Sequence, residues 1–180
     1  MLIKIAIAVV VIVALLLVAL MIAAARKPDR LHVRREATIG APPERIFPLI
    51  IDFHRWTEWS PYEKRDPAIK RKYSGAPSGK GAMYEWEGNS QIGQGRMEIA
   101  EVAEPNRVSI RLDFIKPMTS SNTAEFTLAP QGNSTRIAWD MQGPTSFMMK
   151  VSSVLMNLDK MIGSDYEVGL ANLKAIAEKN

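Results

Sequence analysis

Glu85 and Glu87 stand two residues apart, so a strand would place both on one face, as an acid/base pair of carboxylates requires. Their neighbours Tyr84 and Trp86 are the stronger candidates for the buried side, which leaves the two glutamates solvated. Glu101 shares its parity with Met97 and Ile99 and is drawn inward with them, unless a bulge reverses its side. His54 lies close to Asp52, but no serine or other nucleophile stands at a recognisable spacing, and a place on a helix surface is the simpler reading. Tyr62, Tyr84 and Tyr166 could each donate a hydrogen bond to a ligand carbonyl, with Tyr166 the best placed. Trp56 and Trp59, three residues apart, share a helical face. They could cage a ligand, and more simply they pin small helices onto a sheet.

Other chemistries are excluded by what the chain lacks. There is no cysteine, so disulfides, thiolate nucleophiles and iron–sulfur ligation are out. Two histidines, His32 and His54, are too few for a His-rich metal site. The residues therefore point to no metal and no cofactor, and no set of them argues for catalysis. The glycine-rich stretch from Gly75 to Gly81 lacks the phosphate-loop pattern and joins two expected strands instead of opening a helix. Asn133-Ser134-Thr135 is a formal glycosylation sequon without further support.

The net charge of +4 is unevenly spread. Residues 1–35 hold six basic side chains against Asp29, while residues 36–180 hold 17 basic and 18 acidic ones. That distribution removes the case for a nucleic-acid partner and points to a membrane edge. Residues 5–25 are 21 consecutive apolar residues. As a helix they span about 31 Å, matching a hydrocarbon core of ~30 Å. The run exceeds the ~7–15 residues of a signal-peptide core, although Ala23-Ala24-Ala25 also fits a cleavage site. A single-pass anchor is expected over residues 5–25, with its basic flank inside, so that the following domain is cytoplasmic. Anchor and flank occupy residues 1–30, and one domain occupies 31–180. Pro28 stiffens a link too short to let that domain leave the bilayer surface.

Behind the anchor, residues 31–39 alternate as a strand, apart from Arg35, which interrupts the apolar face. Pro42-Pro43-Glu44 opens a helix, and Asp52 caps a second short one that carries Trp56 and Trp59. Six further strands follow, at 69–73, 82–87, 93–103, 107–115, 122–129 and 135–141. Their clean alternation predicts an antiparallel sheet with one wet face. From Met148 to Ala177 the period changes to steps of three and four, predicting one long amphipathic helix with a break near Gly163. Its apolar stripe is the partner available to the sheet.

This order, together with Ile39-Gly40-Ala41-Pro42-Pro43-Glu44-Arg45-Ile46-Phe47, the Asp52…Trp56-x-x-Trp59-x-Pro61 segment and Gly169-Leu170-Ala171-Asn172-Leu173-Lys174, resembles the START-like, or SRPBCC, superfamily. The match is strongest to its polyketide cyclase/dehydrase and lipid-transport branch. The resemblance implies an α+β helix-grip fold, a curved antiparallel sheet around a long C-terminal helix. It also implies a cavity between the two that takes an apolar small molecule or lipid. Trp86, Phe114, Phe126, Trp139 and Met141 from the sheet, with Leu155, Tyr166 and Leu170 from the helix, are the expected lining. Met148, Met149, Met156 and Met161 are core filler, or else a plastic lid over that pocket. Two other roles occur in the superfamily. One is a cyclase or dehydratase enzyme, which needs an ionisable group inside the cavity. The other is a protein-binding scaffold, which needs a broad exposed apolar patch.

Overall fold

The computed structural model describes residues 1–179. Helix α1 (Leu2–Ala25) is apolar on every side apart from Lys4 near its start, and is long and apolar enough to cross a membrane. Four residues separate it from strand β1 (Arg30–Ile39). Helix α2 (Pro43–Ile51) follows, with proline at its first position and Glu44 in its first turn, where the ring and the charge suit the helix start. The Asp52 carboxylate then accepts the His54 amide to open a short 3-10 turn, Phe53–Arg55, that leads into α3 (Trp56–Trp59).

Strands β2 (Lys70–Gly75), β3 (Ala82–Glu87), β4 (Gln94–Ala103), β5 (Arg107–Lys116), β6 (Ser120–Gln131) and β7 (Ser134–Pro144) pair in sequence, each antiparallel to the next. The first strand closes onto the last, giving the order β1-β7-β6-β5-β4-β3-β2. The expected helix-grip architecture is present: a seven-stranded sheet whose concave side is buried by α2, α3 and the C-terminal helix. Val108, Ile110, Phe126, Leu128, Ile137 and Trp139 form the inner face, while Arg111, Thr123 and Arg136 alternate with them outward.

The C-terminal stretch departs from the expected single helix. It divides into α4 (Phe147–Leu155) and α5 (Leu158–Ala177), and the break falls at Met156-Asn157, not at Gly163. Asn157 caps the second helix, its side-chain oxygen accepting the Lys160 amide at 2.9 Å. Gly163 sits inside a continuous α5 because it serves a close approach instead of a kink. A Cβ there would lie 2.0 Å from an Arg35 guanidinium nitrogen. Arg35, the residue that interrupts the first strand's apolar face, crosses α5 at this point. It pairs with Asp159 at 3.0 Å and Glu167 at 2.8 Å. The two carboxylates hold its guanidinium above the ordinary pKa by hydrogen bonding. The residue that breaks the apolar pattern is thus what fastens the helix to the sheet.

Helix α4 packs not on the sheet but on α1, where Ala24 is fully buried and Leu20 and Ala23 are half-buried. The buried Lys150 of α4 reaches past the end of α1 and bonds the Asp29 carboxylate. The backbone adds a second tie, with the Thr145 amide donating to the Asp29 carbonyl at 2.8 Å.

Candidate functional site

Trp56 and Trp59 act as pins. Their indole N–H groups donate to the Ile50 and Leu49 carbonyls, each at 2.9 Å, so they satisfy acceptors that the end of α2 leaves free. From there an aromatic chain crosses the interior. Trp59 meets Phe126 and Trp139 edge-on, and Phe126 stacks on Trp139 at 4.9 Å. Trp139 stacks almost flat on Tyr166 at 3.9 Å. Tyr166 reaches this position from α5, where Gly169 lets the helix approach; a Cβ there would lie 2.8 Å from the Trp139 ring. Burial raises the Tyr166 phenol well above its ordinary pKa, with Asp140 and Asp165 adding to the shift.

The expected lining residues therefore separate into three groups. Phe126, Trp139, Met141, Tyr166 and Leu170 come together, buried, between the sheet and α5. Trp86 and the half-buried Phe114 meet edge-on at 5.9 Å further along the concave face. Leu155 does not join them. It lies on α4 and is 73% exposed, because the helix turns off at Met156 before reaching the sheet. At the level of Tyr166 the interior is filled by stacked rings rather than open.

Two polar atoms of this face lack a partner. Asn122, 5% exposed, donates from its amide to the Ser120 hydroxyl at 3.1 Å, but its Oδ1 accepts nothing. Its side chain occupies the space beside Gly143, where a Cβ would lie 2.0 Å from that oxygen. Trp139 Nε1 likewise donates to nothing. Both residues are on inward positions of adjacent strands, Asn122 toward the end of the sheet next to α1.

A second cluster escaped the sequence reading. Glu63, in the turn Pro61–Lys64, has a side chain only 6% exposed. Its Oε1 accepts the Tyr84 hydroxyl and its Oε2 the Arg71 Nε, both at 2.6 Å. Burial, then the bond to Glu63, push the Tyr84 phenol far above its ordinary pKa. Both carboxylate oxygens are engaged, so the group braces the turn against β2 and β3. The stack continues outward through Tyr73 to an exposed His54, which lies 3.0 Å from Asp52. A buried acceptor could have been suspected only from the pairing of β2 with β3, which brings Arg71 and Tyr84 together beside it.

The other candidates resolve simply. Glu85 is half-buried and pairs with Lys72 at 2.9 Å, and Glu87 is exposed beside Lys70. A register shift between Ile99 and Glu101 turns Glu101 outward onto Arg107 at 2.8 Å, as a bulge would. The glycine-rich loop directs its amides into the fold: Gly79 donates to the Ile51 carbonyl and Gly81 to that of Ile99. Tyr62 is half-buried, with the Arg65 guanidinium over its ring. An open polar depression of about 290 Å³ lies among Ser109, Arg111, Thr123 and Gln142, and Asn122 and Gly143 also border it. Among the described residues, no group of three or more His, Asp or Glu is placed to hold a metal ion.

Solved structures of the same fold are numerous. A Chromobacterium violaceum protein matches with a TM-score of 0.59 at 16% identity, over 86% of this chain and 100% of its own. A hypothetical protein of Helicobacter pylori matches with a TM-score of 0.63 at 12% identity, over 85% of this chain and 90% of its own. The Aha1 dimer of Colwellia psychrerythraea matches with a TM-score of 0.58 at 15% identity, over 82% of this chain and 96% of that one. At such identities the likeness is one of fold. No curated protein matches the sequence. The family model described as polyketide cyclase/dehydrase and lipid transport matches residues 30–178, the whole sheet with α4 and α5, and the chain belongs to that family.

Proposed function

We propose that this protein is a membrane-anchored domain that holds an apolar small molecule or lipid on the concave face of its sheet. One observation carries the reading: the unpartnered Asn122 Oδ1 and Trp139 Nε1, buried on that face. A buried polar group without a partner costs about 1–3 kcal/mol, and native folds keep few of them. Asn122 and Trp139 stand four residues apart along the paired strands, about 13 Å, so a hydrocarbon body would satisfy both with two polar groups, a hydroxyl or amide donor at Asn122 Oδ1 and an acceptor further along at Trp139 Nε1. The rest of the surface is aromatic and aliphatic, and covering it contributes ~25 cal/mol per Å². Trp86, Phe114, Phe126, Met141 and Leu170 supply that surface, and the Tyr166–Trp139 stack is the contact that parts as the ligand enters. The family description, which includes lipid transport, supports the same class of ligand. The engaged oxygens of Glu63 favour binding over acid/base work. Helix α1 spans the bilayer, and the basic residues after it keep the domain on the cytoplasmic side.

The test is native mass spectrometry on the full chain extracted from its own membranes, beside Asn122→Leu. The wild type is expected to carry an apolar adduct with a polar group. The variant, still folded by thermal denaturation, is expected to lose it. A wild type free of any adduct, together with an Asn122→Leu chain that is merely more stable, overturns the reading.

A further inference from the structure

Nine large apolar side chains that follow α1 are exposed among the described residues, and seven of them gather at one end of the molecule. Phe147, Met148, Leu155, Met156 and Met161 lie on α4 and the first turns of α5, while Ile115 and Met118 lie at the end of β5 and the turn after it. That end is the anchor end: the β1–β7 pair starts there with Arg30 opposite Pro144, and β5 finishes there. A soluble domain rarely exposes so concentrated an apolar surface without a partner for it.

The depth of α4 identifies the partner. Helix α4 packs on α1 at Leu20, Ala23 and Ala24, within five residues of the end of the apolar run. Five residues of helix rise about 7.5 Å. If α1 crosses a bilayer, α4 therefore sits within that distance of its edge, the depth of ~5–10 Å at which amphipathic helices lie in the interface. Met148 and Leu155, seven residues apart, fall on one side of α4. The buried Lys150 sends its ammonium back toward the water side, to Asp29. Arg26, Lys27 and Arg30 next to it, and Lys116 beside Ile115, suit the anionic headgroups at that level.

We infer that α4 is an interfacial helix and that the Phe147–Met161 rim, with Ile115 and Met118, is embedded in the lipid bilayer beside α1. The inference rests on the membrane-anchored reading of α1. It adds a second contact with lipid that sets the anchor end of the domain against the headgroups.

Because the chain has no cysteine, one introduced thiol labels one site. Met148→Cys, Leu155→Cys, Met83→Cys and Val10→Cys variants of the full chain carry an environment-sensitive NBD label. Each is reconstituted in phosphatidylcholine/phosphatidylglycerol vesicles with and without doxyl-labelled lipid. Met83 is an exposed apolar residue near the far end of β3 and serves as the water reference, and Val10 reports on the anchor. Labels at 148 and 155 are expected to emit to the blue of the label at 83 and to be quenched by doxyl lipid to a similar extent. Labels at 148 and 155 that match the label at 83, while the label at 10 is quenched, overturn the interfacial helix and leave the anchor standing. An unquenched label at 10 overturns the anchor, and the inference with it.

Discussion

Replacing Gly163 by alanine separates two effects that oppose each other. In a free helix interior the change stabilises by about 1 kcal/mol, because glycine is that much poorer a helix former. In this helix the new methyl would stand 2.0 Å from an Arg35 nitrogen and 2.2 Å from the guanidinium carbon. The guanidinium is the far end of a flexible chain, so it can swing away, but it then leaves Asp159 and Glu167. Partly exposed ion pairs are worth ~0.2–1 kcal/mol each, and one rigid guanidinium holding both puts the pair at about 1–2 kcal/mol. Gain and loss nearly cancel in the wild type, with a net effect between no change and about 1 kcal/mol of loss. In an Arg35→Ala background the clamp is already gone, and the gain of about 1 kcal/mol emerges in full. The expected coupling in the double-mutant cycle is about 1–2 kcal/mol. Urea denaturation of the full chain in detergent micelles, followed by tryptophan fluorescence, measures all four corners. Equal stabilisation by Gly163→Ala in both backgrounds would refute the clamp and restore Gly163 as an ordinary helix position.

Three further outcomes are expected. Tyr84→Phe removes a hydroxyl that donates to the buried Glu63 carboxylate and should cost about 1.5–3 kcal/mol in the same denaturation assay, whereas an unchanged midpoint would mean that the brace is idle. Gly95→Ala places a Cβ 2.4 Å from the Trp86 ring and 2.6 Å from the Asp113 carbonyl, so overpacking of about 1–3 kcal/mol should lower Tm in a thermal scan; an unshifted Tm would contradict it. Asp29, Glu36, Asp113, Asp159 and Glu178 are held below their ordinary carboxylate pKa, chiefly by hydrogen bonds from Lys150, Arg136, the Ser121 hydroxyl, Arg35 and the Gly40 amide respectively. Their folded values lie below the unfolded ones, so their contribution is present above the unfolded range and is lost as pH falls through the folded one. Tm should hold from neutral pH to about 5 and fall below about 4; a Tm that rises on acidification through that window would reverse the sign of the argument.

The sheet was legible because its outer face is wet. With one side in water, β5 from Val108 to Phe114 and β6 from Asn122 to Leu128 alternate cleanly, and period two fixes both the strand and the inward residues. The same rule explains the inward set Phe126, Trp139 and Met141. The bulge that sends Glu101 outward is a departure from that rule, since parity alone places that residue inward. What stayed hidden depends on partners distant in sequence. Arg35 reads as an interruption because its carboxylates lie 124 and 132 residues away. Glu63 reads as one more surface glutamate until β2 and β3 close over it. The division of the last helix hid for a different reason: apolar residues keep their helical spacing straight across Met156-Asn157. The signal was present in Ser146 and Asn157, both good caps and both capping in the structure. A helix continuous through Met156 would carry Leu155 inward; the break leaves it exposed. The filling of the interior by the Trp139–Tyr166 stack depends on how far α5 descends, which Gly169 and Gly163 set and periodicity does not.

The tie between α4 and the end of α1 also limits how far the domain can travel. The four residues from Arg26 to Asp29 reach at most ~14 Å when fully extended, and the last of them is held by Lys150 and by the Thr145 amide. With α1 in a bilayer, the domain has neither the leash to visit a second membrane nor the freedom to swivel on its stalk. Any cargo it holds is exchanged with the leaflet beneath it or handed to an acceptor that comes alongside. It would act as a fixed station for its ligand and not as a ferry.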